Sequence, residues 1–586
     1  MTDYALKPST GEEKRTLASA VRTLAPHLAG ERRSLAIAVG CVLVTTAANL
    51  LGPMMIARAI DTAIRPGDFG LLVKDAGLLA LIYLAGLITN YGQTLSMGSV
   101  GRNLLFKLRN QLFTRLSELP IGFFAQNRQG DLISRVNSDT DRINQFFSQA
   151  LMQFFGSFFV ILGAGLLLLV LNWRLGIAAL APAAVVLTVS RLISPWIRAR
   201  SRRSLESLGA LSGDIQESLA NFKAVVAFNR ADYFRQKFDL ANQKNFKASV
   251  AAGISAGVLA PLFTLAGSAA QILVLGFGVW LIGHHLLSVG LLIGYLLYVT
   301  SFYNPLRQLA TVWSSLQQAT AALDRVSEVL ALENDLLQVP TAGSRNGAAV
   351  LAFERVGFSY PGGARVLDDV SFDLERGKTY ALVGPTGGGK TTTAMLIARL
   401  YDPQAGGVYL DGRDIRTYSA AERAAKIGFI LQEPFLFRGT VGDNIAYGHD
   451  ELAGLAPEEL MARLAAHGLA GFLGRFSEGL QTPTGGGGDS LSLGQKQLIA
   501  FMRAVLRQPE ILILDEATAN IDTVTEQLLE EVLQKLPATT TKVIIAHRLN
   551  TIQNADDIFF VGGGALTEAG SMDHALEMLL SARRAS

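Results

Sequence analysis

Five stretches contain no Asp, Glu, Lys or Arg, and they decide most of what this chain can become: residues 34–57, 76–101, 143–173, 175–190 and 248–306. A hydrocarbon core ~30 Å thick is crossed by about 20 apolar residues in helical form. The fourth stretch continues past Arg191 to Ile197, and the fifth holds two passes that turn near Gly283, His284 and His285, which makes six spanning helices. A core buried only from water has no need of so many uncharged segments of this length. In lipid each must close its own backbone hydrogen bonds, which a helix does. A hydrophobic content of 49% over 586 residues and a mean hydropathy of +0.31 agree with a membrane class.

The connections alternate in character. Residues 102–142 and 191–247 are long and rich in Arg and Lys, the turns near Trp173 and His284 are short and nearly neutral, and residues 58–75 carry both signs. The positive-inside rule then places the two long basic loops, both termini and everything after the last span in the cytosol. Helical patterns within those loops predict that the spans continue well past the bilayer. Leu17, Val21, Leu24 and Leu28 recur at helical spacing among Lys14, Arg15, Arg22, Arg32 and Arg33, which suits a helix lying on a membrane surface or one packed on protein. Residues 1–33 lack the short apolar core and cleavage site of a secretory signal. The single cysteine, Cys41, leaves no disulfide or Cys-based zinc site within one chain, and a net charge of +3 is too small for a nucleic-acid footprint.

A polar, glycine-containing break at residues 340–347 divides the chain. Beyond it, short β-rich runs at 349–353, 379–383, 428–431, 510–514 and 542–545 alternate with helical patterns, which predicts an α/β domain with a largely parallel sheet. The reading is a multidomain chain with four parts: an interfacial helix at 1–33, an all-α six-helix transmembrane domain at 34–338, a linker at 339–348, and the α/β domain at 349–586.

The chemistry starts at G-P-T-G-G-G-K-T-T, Gly384 to Thr392, which follows the apolar run 380–383 and opens a helical pattern at 392–400. Strand, glycine loop and helix together turn a G-x-x-x-x-G-K-T match into a phosphate cradle. Gly384, Gly387, Gly388 and Gly389, with Thr386 between them, let successive N–H groups converge on nucleotide phosphates. Lys390 supplies a point charge for the β- and γ-phosphates, the Thr391 hydroxyl a ligand for Mg²⁺, and Thr392 completes the loop. Farther on, Ile511 to Leu514 is apolar enough for a central strand, with Asp515 and Glu516 at its carboxyl end, where open α/β sheets present reactive groups. Asp515 is placed to hold Mg²⁺, and Glu516 to take a proton from the water that attacks the γ-phosphate.

These residues belong to an ordered set. Tyr360, the phosphate loop, Gln432 in L-Q-E-P, Leu491 to Gln495 in L-S-L-G-Q, Leu514 to Thr518 in L-D-E-A-T, Asp522 in N-I-D and His547 in I-A-H-R-L follow one another as in the ABC ATPases, which this domain resembles. Tyr360 offers a π-face to adenine. Gln432 reaches Mg²⁺ and the attacking water. Ser492, Gly494 and Gln495 open a helical segment at 497–506, a positive end suited to an anion. The resemblance implies that this anion is the γ-phosphate held by a second subunit, so that ATP joins a head-to-tail dimer with two sites. His547 would steady the γ-phosphate and Asp522 would communicate between sites.

The membrane half narrows the resemblance to exporter-type half-transporters: 123–135, 223–230 and Asn304 to Arg307 are similar to their intracellular loops and last helix, and segments near 123–130 and 226–233 match their coupling helices. That implies ATP-driven export of an amphipathic or hydrophobic compound by alternating access, with ATP and Mg²⁺ as cofactors. The chain would work as a homodimer, or as a heterodimer with a second half-transporter, in a bacterial inner membrane. Lipid flipping or import fits the same scaffold, and an ATP-gated channel or regulator is the alternative of another class. Asn90, Tyr91, Gln271, Tyr295, Tyr298, Phe302 and Trp313 are candidates for lining a substrate cavity, or for helix packing. Arg191 is placed to snorkel to headgroups. Two departures stand out: the signature has Leu493 where Gly is usual and Lys496 where Arg is common, and Gly486 stands at about the position where many exporters carry a glutamate.

Overall fold

The computed structural model describes residues 4–6, 29–340, 343–345, 347–449, 451–452, 454–485, 490–515, 523–545 and 554–585. Two compact units emerge. One comprises Lys7–Ser117 and Gly130–Ala331; the other gathers Met1–Leu6, Glu118–Gln129 and Leu332–Ser586.

The first unit is built on six helices apolar and long enough to cross a membrane: Arg32–Ile64, Phe69–Glu118, Gln129–Leu171, Trp173–Ala220, Ala231–Gly283 and Val289–Ala331. At 33 to 53 residues each exceeds the bilayer requirement, as the helical patterns in the basic loops predict. Leu81, Leu84, Leu87 and Ile88 of the second span are exposed, the side-chain chemistry of a lipid-facing surface. The sixth span is fixed by tyrosine hydroxyls that donate to carbonyls of other spans. Tyr298 reaches Leu50 O at 2.6 Å, Tyr303 reaches Ala179 O at 2.9 Å, and Tyr295 reaches Leu168 O at 2.6 Å or Asn172 O at 2.9 Å. Tyr295 and Tyr298 are therefore buried packing residues and do not line a cavity. A hydroxyl inside an apolar bundle needs an acceptor, and a backbone carbonyl of a neighbouring segment supplies one.

Polar groups close this unit at two levels. The carboxylate of Asp61, at the end of the first span, accepts the Gly290 N–H at 2.9 Å and the Ser288 hydroxyl at the start of the sixth. In the extension of the third span, Arg135 is 3% exposed and donates to Asp131 at 3.0 Å, Glu328 at 2.7 Å and the Arg325 carbonyl at 2.8 Å, while Asp139 takes Arg325 and Arg142. Buried charges persist only when partnered in this way.

The second unit is α/β. Its strands are β1 (Ala349–Ser359), β2 (Arg365–Glu375), β3 (Thr379–Val383), β4 (Ala405–Leu410), β5 (Arg413–Asp414), β6 (Ile427–Ile430), β7 (Gly439–Thr440), β8 (Pro483–Thr484), β9 (Ile511–Asp515), β10 (Thr541–Ile545), β11 (Asp557–Gly562) and β12 (Ala565–Glu568). One sheet is antiparallel, in the order β2-β1-β4-β5; the other runs β12-β11-β3-β10-β9-β6 and is parallel except at β12. The parallel strands are buried nearly end to end, as the apolar runs require.

The helix Ile121–Gln126 falls in this unit and packs with the extreme N-terminus. Tyr4 is 1% exposed; its N–H donates to Gln126 at 3.0 Å, its carbonyl accepts from Asn127 at 2.9 Å, and its ring meets Phe123 edge-on at 6.3 Å. Its hydroxyl donates to the Glu333 carbonyl at 3.0 Å and accepts the Asp335 N–H at 3.1 Å. The second loop helix lies at Phe222–Ala227, a few residues before the 226–233 expected for it, because Asn229 takes a left-handed turn at φ +50° and the chain restarts as helix at Ala231.

At the entry of β9, Glu510 joins Arg376 (2.7 Å) and Lys426, which both also hold Asp411 (2.6 and 2.8 Å). Burial alone would raise the Glu510 carboxyl, but hydrogen bonds from Lys426 and Arg376 outweigh it and hold it below its usual 4.5. A carboxylate lowered on folding contributes stability above its unfolded value, and that contribution is lost as pH falls through the folded one. Glu510→Gln should therefore lower the unfolding midpoint at neutral pH and flatten its decline below pH 4.5, read from thermal unfolding against pH.

Candidate nucleotide site

The register of the parallel sheet brings four strand ends level. Ile545 lies opposite both Leu382 and Asp515, and Ile430 lies opposite Leu514. Loops leaving the carboxyl ends of such strands converge. The glycine loop leaves β3 at Gly384, Gln432 follows β6, and Asp515 is the last residue of β9, 4% exposed. Glu516, Asp522 and His547 lie outside the described residues, as does Gly486.

Glycine shapes the loop where nothing else fits. Gly384 has φ +152°, and a Cβ there would stand 2.0 Å from the Val561 carbonyl oxygen of β11; Gly389 has φ +108°. Lys390 is 5% exposed, and its Nζ donates to the carbonyls of Gly384 at 2.8 Å and Pro385 at 3.0 Å, so the loop curls around the ammonium. Thr386, Gly387 and Thr391 are exposed on the rim and Gly388 is half-buried. The helix Lys390–Ile397 begins on the loop, two residues earlier than the expected 392, which turns its free N–H groups and positive end toward the cradle. Such a loop fits phosphate oxygens. The Thr391 hydroxyl, Gln432 amide and Asp515 carboxylate are hard oxygen donors of the kind Mg²⁺ takes beside phosphate.

Tyr360 is half-buried, edge-on to Phe358 at 5.0 Å and Tyr401 at 5.5 Å, with its hydroxyl 3.1 Å from that of buried Thr392. Its ring is thus tied to the first turn after the loop. Ser492 caps the helix Leu493–Val505, which starts four residues before the expected 497. Its hydroxyl accepts the Gln495 N–H at 3.2 Å and Gln495 Oε1 accepts the Ser492 N–H at 2.9 Å. This reciprocal pair is an S-x-x-Q capping box, readable in the sequence. It engages the side chains of Ser492 and Gln495 within the helix end, and leaves the first-turn N–H groups of Leu493 and Gly494 without an intrahelical acceptor. Gln497, absent from the sequence reading, is 1% exposed and reaches the Gln432 carbonyl at 3.5 Å, connecting that helix to the loop after β6. Beside it lies a groove of 330 Å³ with Phe435, Phe437 and Tyr447 exposed along it.

Comparison with known proteins gives these features a family. Residues 35–306 match the ABC transporter transmembrane region and residues 367–519 the ABC transporter model for the ATPase domain. The chain is 34% identical over 553 residues to the uncharacterised ABC transporter ATP-binding protein YfiC of Bacillus subtilis, covering 93% of this chain and 90% of that one. It is 31% identical over 504 residues to a fatty acid ABC transporter ATP-binding/permease protein of Mycobacterium bovis, covering 86% and 79%. Among solved structures, a bacterial Atm1-family ABC exporter with ATP bound superposes with a TM-score of 0.76 at 27% identity, over 95% of this chain and 96% of that one. A cradle at the edge of a parallel sheet, fused behind six spans and matched along nearly its whole length, places the chain in the ABC transporter family as a multi-pass membrane exporter that binds ATP and couples its hydrolysis to transport.

Proposed function

We propose that two copies of this chain form an exporter of an amphipathic compound, working by alternating access in a bacterial inner membrane with two ATP sites at their interface. The observation that carries this reading is the level carboxyl edge of β3, β10, β9 and β6, beyond or at which Lys390, Thr391, Gln432 and Asp515 follow in sequence, in a chain with one ATPase domain and six candidate spans. One such domain is half of a transporter. Lys390 and the loop N–H groups bind the phosphates, and Thr391, Gln432 and Asp515 would hold Mg²⁺, which would supply positive charge at the site. Glu516 takes the proton of the attacking water, with Gln432 orienting it and His547 steadying the γ-phosphate. Tyr360 meets the base, and Ser492, Gly494 and Gln495 of one copy close on the cradle of the other, with Asp522 between the sites. ATP closes the two ATPase domains and release of products reopens them.

Two measurements on protein reconstituted in liposomes test the proposal. Mass determination should give two copies, and substrate accumulation in inverted vesicles should rise in proportion to ATP turnover. A fully active monomer would overturn the dimer, and passive flow once ATP is bound would favour the channel reading.

A further inference from the structure

Among the spans is an open cavity of 490 Å³ lined by the first, second, third and sixth helices. Six primary carboxamides border it: Asn49, Asn90, Gln93, Gln153, Asn304 and Gln308. The remaining lining is hydroxyl or apolar, and no Asp, Glu, Lys, Arg or His is among the described residues there. Carboxamides in spanning helices are expensive unless they pair or face a polar space. Pairing explains two of them, since Gln153 Nε2 reaches Gln308 Oε1 at 3.4 Å. Among the described residues Asn49, Asn90, Gln93 and Asn304 make no side-chain hydrogen bond, and three of the four are exposed to the open space. Each carries two donors and an acceptor, an array that complements amides and hydroxyls and offers no counter-charge to an ion. A charged head drawn into this cavity would lose its hydration without a partner of opposite sign.

We propose that this cavity selects an uncharged amphipathic substrate whose head bears amides or hydroxyls, held by Asn49, Asn90, Gln93 and Asn304. This rests on the export reading and specifies its substrate class. A smaller cavity of 200 Å³ shares Thr300 and Asn304 with the first and is bordered by Arg307, the one cation in its lining. It is the place where an acidic head would find a partner, so it defines the competing outcome.

The experiment uses the full-length protein in lipid nanodiscs and three amphiphiles with similar alkyl chains, each below its micellar concentration: neutral N-lauroyl-N-methylglucamide, laurate and dodecyltrimethylammonium. ATP turnover should be stimulated at a concentration at least about tenfold lower by the neutral compound than by either ion, as expected where a site's polar groups must be matched. Asn90→Leu should raise the half-maximal concentration for the neutral compound by about tenfold, and Gln93→Leu should act in the same direction. Preference for laurate that disappears in Arg307→Gln, equal stimulation by all three, or an unchanged response in both amide variants would each overturn the substrate class while leaving export standing. If turnover is stimulated but no compound accumulates in vesicles, the export reading itself is what fails.

Discussion

Glu516→Gln should bind ATP as the parent does while releasing phosphate about 10² to 10⁴ times more slowly, the range a positioned general base contributes. Glu516 directly follows Asp515, whose strand lies between β10 and β6 at the centre of the converging edge. The substitution keeps the size and reach of the side chain and removes its negative charge and its capacity to accept a proton. Nucleotide affinity, proposed to rest on the glycine loop and Lys390, should be left alone. Equilibrium binding of a fluorescent ATP analogue and single-turnover phosphate release separate the two quantities, and near-normal release would remove Glu516 from the proposed chemistry.

The second large effect is expected at Gly384. A methyl group there would meet the Val561 carbonyl oxygen at 2.0 Å, a backbone atom with no freedom to swing aside. Gly384→Ala must therefore displace either β11 or the loop, and a displacement near 1 Å in a positioning element costs about a hundredfold in rate. Gly387→Ala is the control: its φ is +80° but nothing lies within 4 Å of the added carbon, so only backbone strain of about 1–2 kcal/mol is introduced. Turnover at saturating ATP, compared between the two variants, distinguishes the clash from the strain; equal losses would mean that contact with Val561 does not set the loop.

What could be read without coordinates follows physical range. The charge-free stretches carry their own instruction, because a spanning helix answers to lipid and to its own backbone alone, and all six are found. The parallel strands β3, β6, β9 and β10 are apolar enough to announce themselves to within a residue. Of the antiparallel sheet only the start of β1, at 349–353, is read from the sequence, although Val370, Phe372 and Leu374 alternate inward along β2 as a half-buried strand should. Tyr295 and Tyr298 illustrate a different limit. A tyrosine in a span can face a cavity or donate to a neighbouring backbone, and only the position of Leu168 and Leu50, more than a hundred residues away, decides it. Around the cradle, residue types and spacing identify Lys390, Thr391, Gln432 and Asp515 as a set. That the segments carrying them leave one edge of the sheet depends on strand order, a long-range property, and the Gln497 contact with the Gln432 loop has no local signature.

The attachment of Tyr4 bears on how the chain is made. Its partners Gln126 and Glu333 stand 122 and 329 residues away along the chain, so the full set of bonds around it can close only after the sixth span, Val289–Ala331, has been synthesised. Tyr4 is thus fully held only late in synthesis, since Glu333 and Asp335 must already have been made.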